Sequence, residues 1–203
     1  FDTNGATYFW VQDGQLMRAG PLGPERIGEV LTDQTRIWVG ATLGFGFYRA
    51  GDLHVAFVFD PNCRGINDSV RLPAMRGQLV DVTCKLAHDR AWLIWCTKES
   101  GRIMHHAAVI LSSGEVMATL SEPADTGTWM ASAHGALAIG RLLLVPTDDG
   151  IVRVDTQQRQ IVLSKTFPDT ESYVDAASRL LAGPGGVYVV RGRTIHLLSI
   201  NED

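Results

Sequence analysis

The chain has 203 residues, 45% of them apolar and 20% charged, with a formal charge of −4 at pH 7. That balance excludes an intrinsically disordered chain. The negative charge also argues against a general binder of nucleic acid or anionic membrane, which needs a positive field, and no apolar run reaches the ~20 residues of a membrane-spanning helix.

One pattern recurs along the chain: an apolar strand, a polar turn containing Gly, and a second apolar strand. The first copy is YFWVQDGQLMRA at 8–19, followed by RIGEVL at 26–31. The second opens with RIWVGAT at 36–42, continues as FGFYRAGDLHVAFVF at 45–59 and ends on SVRLP at 69–73. The third runs QLVDVTC at 78–84, AWLIWCTKESGRIMHHAAVI at 91–110 and EVMATL at 115–120. The fourth runs WMASAHG at 129–135, RLLLVPTDDGIVRVD at 141–155 and QIVLSK at 160–165. The fifth is YVDAASR at 173–179 and GVYVVRGRTIHLLSI at 186–200.

The turn glycines are Gly14, Gly51, Gly101, Gly150 and Gly192, spaced by 37, 50, 49 and 42 residues. Gly supplies the positive φ that a tight hairpin demands. Each unit therefore reads as four strands, and a period of about 45 residues matches propeller blades. The expected fold is all-β: a β-propeller of about five four-stranded blades in a single domain, at approximately 1–31, 36–73, 78–120, 128–165 and 172–203. The first strand of each unit is rich in Gly, Ala and Ser, as suits an innermost position. No helix is expected. The Ala- and Leu-rich stretch 131–145 is broken by Gly135 and Gly140 and reads as inner strand, turn and second strand.

The first copy is expected to lack its inner strand and the last its outer strand. A ring closed by strands from both termini would draw both from residues upstream of Phe1. The expectation is thus the C-terminal part of a longer chain. Cys63, Cys84 and Cys96 form no zinc or disulfide pattern, and point to buried thiols in a reducing compartment, hence the cytoplasm. Hairpin register sets Cys96 opposite residues near 80 and Cys84 opposite residues near 92, so the two do not pair.

The text TDDGIVRVD at 147–155 resembles the hairpin of bacterial PQQ-like and YVTN-type propeller repeats, where Asp-Gly joins two strands and an Asp follows. GVYVVRGRTIHLL at 186–198 is a looser copy. The resemblance implies the fold and not an activity. Quinone-dependent dehydrogenases of that superfamily use eight blades, calcium ligands and a disulfide, and this chain is too short and has no adjacent cysteines.

Aligned inner strands place Val39, Asp81, Ala131 and Asp175 at one level. Asp81 and Asp175 are therefore candidate channel residues, able to hold a cation or a basic group, or else to stitch blades by accepting backbone N–H bonds. His134, near the end of an inner strand, joins them. His105 and His106 are adjacent on a strand and point to opposite faces, so they do not share a metal. Asp148-Asp149-Gly150 is hairpin chemistry and not a calcium loop. LGFGF at 43–47 leads into no helix and is not a dinucleotide loop. There is no GxSxG elbow. The long connector at 59–72, with Arg64, Asn67, Asp68 and Arg71, is the candidate recognition loop.

The function expected is a non-enzymatic protein-interaction or scaffolding module, with no cofactor and no bound metal. Its partner is a protein or another domain of the same chain. Two rivals are a binder of small molecules or glycans between blades, and a hydrolase or lyase using Asp81 and Asp175.

Overall fold

A computed structural model describes residues 2–3, 7–30, 35–50, 53–63, 65–67, 70–72, 77–125, 128–167, 170 and 172–198. The chain is all-β, and its strands form five antiparallel sheets taken in sequence order. Among the described residues no helix is long and apolar enough to cross a membrane.

The first sheet contains β1 (Asp2–Thr3), β2 (Tyr8–Gln12), β3 (Gln15–Gly20) and β4 (Gly23–Glu29) in that order. Asp13 and Gly14 join β2 to β3 with φ of 51° and 70°. Two successive positive values are the twist-matched two-residue hairpin turn, which selects Asp-Gly. The second sheet is β5 (Arg36–Val39), β6 (Gly44–Ala50), β7 (Leu53–Phe59) and β8 (Ile66–Asn67). The third is a meander of β9 (Gln78–Leu86), β10 (Arg90–Glu99), β11 (Arg102–Leu111) and β12 (Val116–Pro123). A helical turn α1 (Thr128–Ala131) and a 3-10 turn (Ala133–Gly135) then precede β13 (Leu137–Ile139), β14 (Leu142–Thr147), β15 (Gly150–Gln157) and β16 (Gln160–Phe167). The fifth sheet has three strands, β17 (Arg179–Gly183), β18 (Gly186–Arg191) and β19 (Thr194–Leu198).

The hairpins fall where the repeat placed them, and among the described residues the fifth sheet has no fourth strand. Four expectations are corrected. The first sheet does have a first strand, because Asp2 and Thr3 pair with Phe9 and Tyr8. The stretch 129–135 is helical and not an inner strand. Its buried apolar side chains are Trp129, Met130 and Ala133, a spacing of one and four that marks a helical stripe. Gly135 follows because a Cβ there would fall 2.0 Å from the Ser178 carbonyl oxygen. The stretch 173–179 is also not an inner strand. Asp175 N–H donates to Ser178 Oγ at 3.0 Å, and Ser178 N–H donates to the Asp175 carbonyl at 3.0 Å. Such local side-chain bonds hold a turn in place of a ladder. The first strands of these two sheets are instead 137–139 and 179–183. Finally, the outer strand of the second sheet is 66–67, whereas 70–72 are in no strand and the rest of 69–73 lies outside the described residues. Gly51 also lies outside them.

The chain divides into two compact units, Phe1–Gly77 with Cys84–Leu93 and Ala108–Met117, and Gln78–Thr83 with Ile94–Ala107 and Ala118–Asp203. In the first, Phe9, Leu16, Ile27, Val30, Ile37, Val39, Tyr48, Phe57 and Phe59 form one buried cluster. Phe59 sits 6.1 Å from both Phe9 and Phe57, ring centre to ring centre. The rings can lie flat because their cross-strand partners are glycines: Phe59 is opposite Gly44, and Phe57 is opposite Gly46. In the second, Leu144, Ile151, Val174, Leu180, Val187 and Val189 are buried together, with Leu137, Phe167, Tyr173 and Leu198 packed around them.

A Cβ at Gly46 would fall 2.0 Å from the ring of Phe57, which is 1% exposed. Gly46→Ala is therefore expected to cost about 1–3 kcal/mol by overpacking, lowering the melting temperature by roughly 2–4 °C per kcal/mol at this size. Calorimetry on Gly46→Ala, Phe57→Leu and the double variant checks it. The double variant should lose less than the sum of the single losses, because the smaller side chain vacates the clash.

Candidate functional site

Three places in the chain bring together candidate side chains. The first is a cavity of about 180 Å³ in the second unit, lined by Asp81, Thr83, Ile94, Trp95, Cys96, His105, Met130, Ala131 and His134. β9 presents Asp81, β10 the stretch from Ile94 to Cys96, β11 His105, and the α1–3-10 segment Met130, Ala131 and His134. His134 Nε2 lies 2.5 Å from Asp81 Oδ2, and the other carboxylate oxygen accepts the Val82 N–H at 2.8 Å. The two side chains are 61% and 46% exposed, so the pair is a solvated one worth less than about 1 kcal/mol.

Cys96 sits in the same cavity. Burial, and then the negative charge of Asp81, push its thiol above the ordinary range. The thiol form is a poor nucleophile, and the cavity is not poised for attack by sulfur. His106 faces elsewhere: its ring stacks on Trp95 at 5.1 Å and its nitrogens meet Thr97 Oγ1 at 2.8 Å and Ser121 Oγ at 2.9 Å. Among the described residues no group of three or more His, Cys, Asp and Glu side chains is placed to hold a metal ion.

Asp175 does not line this cavity. Its Oδ1 accepts the Ser178 hydroxyl at 2.9 Å and the Ala177 N–H at 3.0 Å, and its Oδ2 accepts Arg191 Nε at 2.7 Å. The Ser178 hydroxyl and then Arg191 hold this carboxyl below its usual range. The level proposed for Val39, Asp81, Ala131 and Asp175 thus joins two strand residues to a helical one and a turn one. Asp148 likewise accepts the Ala176 N–H at 3.0 Å and braces the same turn. Asp155, the Asp that closes the stretch TDDGIVRVD, is 2% exposed. It accepts the Thr156 N–H at 2.7 Å, with Arg141 at 3.6 Å and Arg153 at 3.9 Å.

The second place is the connector after β7, in the first unit. Asp60 accepts the Asn62 N–H at 2.8 Å, and that bond leads the causes holding its carboxyl low. Asn67 donates its amide to the Ser113 carbonyl at 2.7 Å and helps line a groove of about 500 Å³ with Thr42, Phe59, Asp60 and Ser112. Arg71 is exposed, and Arg64 and Asp68 lie outside the described residues. Of the cysteines, Cys84 is buried, Cys96 half-buried and Cys63 exposed, so the expectation of uniformly buried thiols is corrected; none of the three is in a disulfide.

The third place was not singled out by sequence. In the fifth sheet, Leu181 pairs with Tyr188 and Tyr188 with Leu197, while Val190 pairs with both Arg179 and Ile195. All of these share one face. Leu181, Ile195 and Leu197 on it are 53%, 68% and 52% exposed. The opposite face carries Leu180, Val187 and Val189, exposed by 3% or less. A strand pattern of alternating apolar residues would show one such face. Here TIHLL at 194–198 places large side chains on both, which is the signal that was available.

No protein-family model, curated protein or solved structure matches the chain.

Because Asp175 has a depressed folded pKa, its contribution to stability is complete above the ordinary carboxylate range near ~4 and disappears as the pH falls through the lowered value. Asp175→Ala should lower the melting temperature by about 2–4 °C at pH 7, corresponding to ~1 kcal/mol, and the gap to wild type should close in strong acid. A gap that persists unchanged at pH 2 would assign the loss to packing.

Proposed function

We propose that the chain is a non-enzymatic interaction module of β-propeller type, its five sheets serving as blades of the PQQ-like and YVTN-type repeat kind. The observation that carries the interaction reading is the exposed Leu181, Ile195 and Leu197 face on a sheet whose other face is buried. Clustered large apolar side chains left in water mark recognition surfaces, whereas scattered ones are ordinary. Arg179 and Arg193 flank this face, an apolar centre with a polar rim, as interfaces have.

The rival hydrolase reading requires two carboxylates facing one substrate. Asp81 is engaged by Val82 and His134, and Asp175 by Ser178, Ala177 and Arg191, at separate places. The cavity at Asp81 is also smaller than the ~300–1,000 Å³ of ordinary ligand pockets. Three cysteines outside any disulfide suit a reducing compartment, and the cytoplasm is the setting we propose.

Affinity capture from cells that express the chain tests the interaction reading. A partner retained by wild type and by Leu163→Glu, an exposed leucine on another sheet, is expected to be lost by Ile195→Glu/Leu197→Glu. Equal retention by all three baits would overturn it. The propeller reading expects one compact body, with a radius of gyration of about 17 Å for this length by small-angle X-ray scattering. A clearly larger value, from two units moving independently, would rule it out.

A further inference from the structure

We propose that β19 pairs antiparallel with β19 of a second copy of this chain, merging two three-stranded sheets into one. The proposal rests on the interaction reading above and names its partner.

The first argument is the outer edge of the fifth sheet. In the other sheets the third strand is covered on its outer side by a fourth: β4 on β3, β8 on β7, β12 on β11 and β16 on β15. β19 has only β18 beside it among the described strands. Its outer N–H and C=O groups are a template for another strand.

The second argument is that nothing in β19 discourages pairing. Residues 194–198 are Thr, Ile, His, Leu and Leu, with no Pro and no Lys, Arg, Asp or Glu. Their register with β18 runs unbroken over five pairs, without a bulge. Edges that natural proteins keep single carry one of those devices.

The third argument is self-complementarity. A two-fold axis through His196 sets Ile195 of one copy opposite Leu197 of the other, and Leu197 opposite Ile195. Both pairs lie on the face that already exposes Leu181. The exposed apolar row then continues from one sheet into the next, and each copy buries the side chains that are 68% and 52% exposed in the single chain. An isologous contact of this kind closes on two copies and does not propagate.

Charge selects the direction. Arg191 and Arg193 flank the turn before β19. Parallel pairing would set the two arginine turns side by side. Antiparallel pairing about His196 separates them by roughly 20 Å at ~3.3 Å per residue, beyond the ~8–10 Å screening length of physiological salt. The edge is short, so the buried area falls below the ~1,600 Å² of a standard interface and the dimer dissociates in the micromolar range.

Sedimentation velocity from low to several hundred micromolar chain is the test. Wild type and Leu163→Lys should shift from monomer to dimer as concentration rises. Ile195→Lys/Leu197→Lys should stay monomeric, or dissociate at least about tenfold more readily. In a Cys63→Ser background, His196→Cys should form a disulfide-linked dimer under mild oxidation and Thr194→Cys should not, since only residue 196 meets its own copy across the axis. This second readout does not depend on the charged variants. Wild type that remains monomeric throughout, or dimers that survive Ile195→Lys/Leu197→Lys, would overturn the pairing. If wild type is monomeric yet Ile195→Glu/Leu197→Glu still releases a captured protein, the second copy is the wrong partner and the interaction reading stands. If neither depends on these residues, both fall.

Discussion

A short antiparallel meander is marginal in water until its apolar faces are covered, and that requirement governs this chain. The middle sheets meet it on both faces. Ala91 to Trp95 of β10 are buried in unbroken succession, as are His106 to Ile110 of β11 and Leu143 to Thr147 of β14. Strands buried on both faces lose the alternation of half-exposed ones, and their sequences become continuous apolar runs. The first and last sheets keep the alternation. β2 buries Phe9 and exposes Tyr8 by 62%, and β18 buries Val187 and Val189 beside half-exposed Tyr188 and Val190. Among the described residues the last sheet leaves Leu181, Ile195 and Leu197 exposed on one face while its other face is buried.

Covering faces tightly also requires that something be removed. In the first unit that is the side chain at positions 44 and 46, since Phe59 and Phe57 occupy the space a Cβ would take. Glycine in a strand is unfavourable on its own account. It persists here because two rings in the buried cluster need the room. The same trade recurs at Gly135, where the backbone itself, the Ser178 carbonyl, comes too close for any side chain.

Much of the fold was legible because hairpins are local. Alternation together with Asp-Gly or Ser-Gly turns located β2–β3, β10–β11 and β14–β15, and hairpin register alone set Cys96 near Asp81. What was not legible depends on distant groups. Trp129 and Met130 look like strand residues, and only the helical turn that aligns them with buried Ala133 tells them apart. YVDAASR reads as an inner strand, yet Asp175 prefers Ser178, Ala177 and Arg191 to a ladder. His134 reached the Asp81 cavity from a 3-10 turn rather than a strand end. Asp175 did not, because its place followed from an alignment of strands that the turn chemistry had dissolved. The exposed face of the fifth sheet escaped notice for a different reason: apolar alternation announces that a face exists, and not whether anything covers it.

Edges raise the last point, because each sheet treats its outer strand differently. β4 is interrupted by a register shift opposite Leu16/Met17 and carries Pro24, Glu25, Arg26 and Glu29. β8 is two residues long. β12 ends in Glu122 and Pro123. β16 has a register shift opposite Arg153/Val154. Charge, proline, brevity and bulges are the known means of keeping an edge single, and these strands use all of them. β19 uses none, although it is no shorter than β2. The pairing proposed for β19 accords with that contrast: residues 194–198 carry none of these devices, although a charge would cost the fold little on a strand whose Ile195 and Leu197 are 68% and 52% exposed.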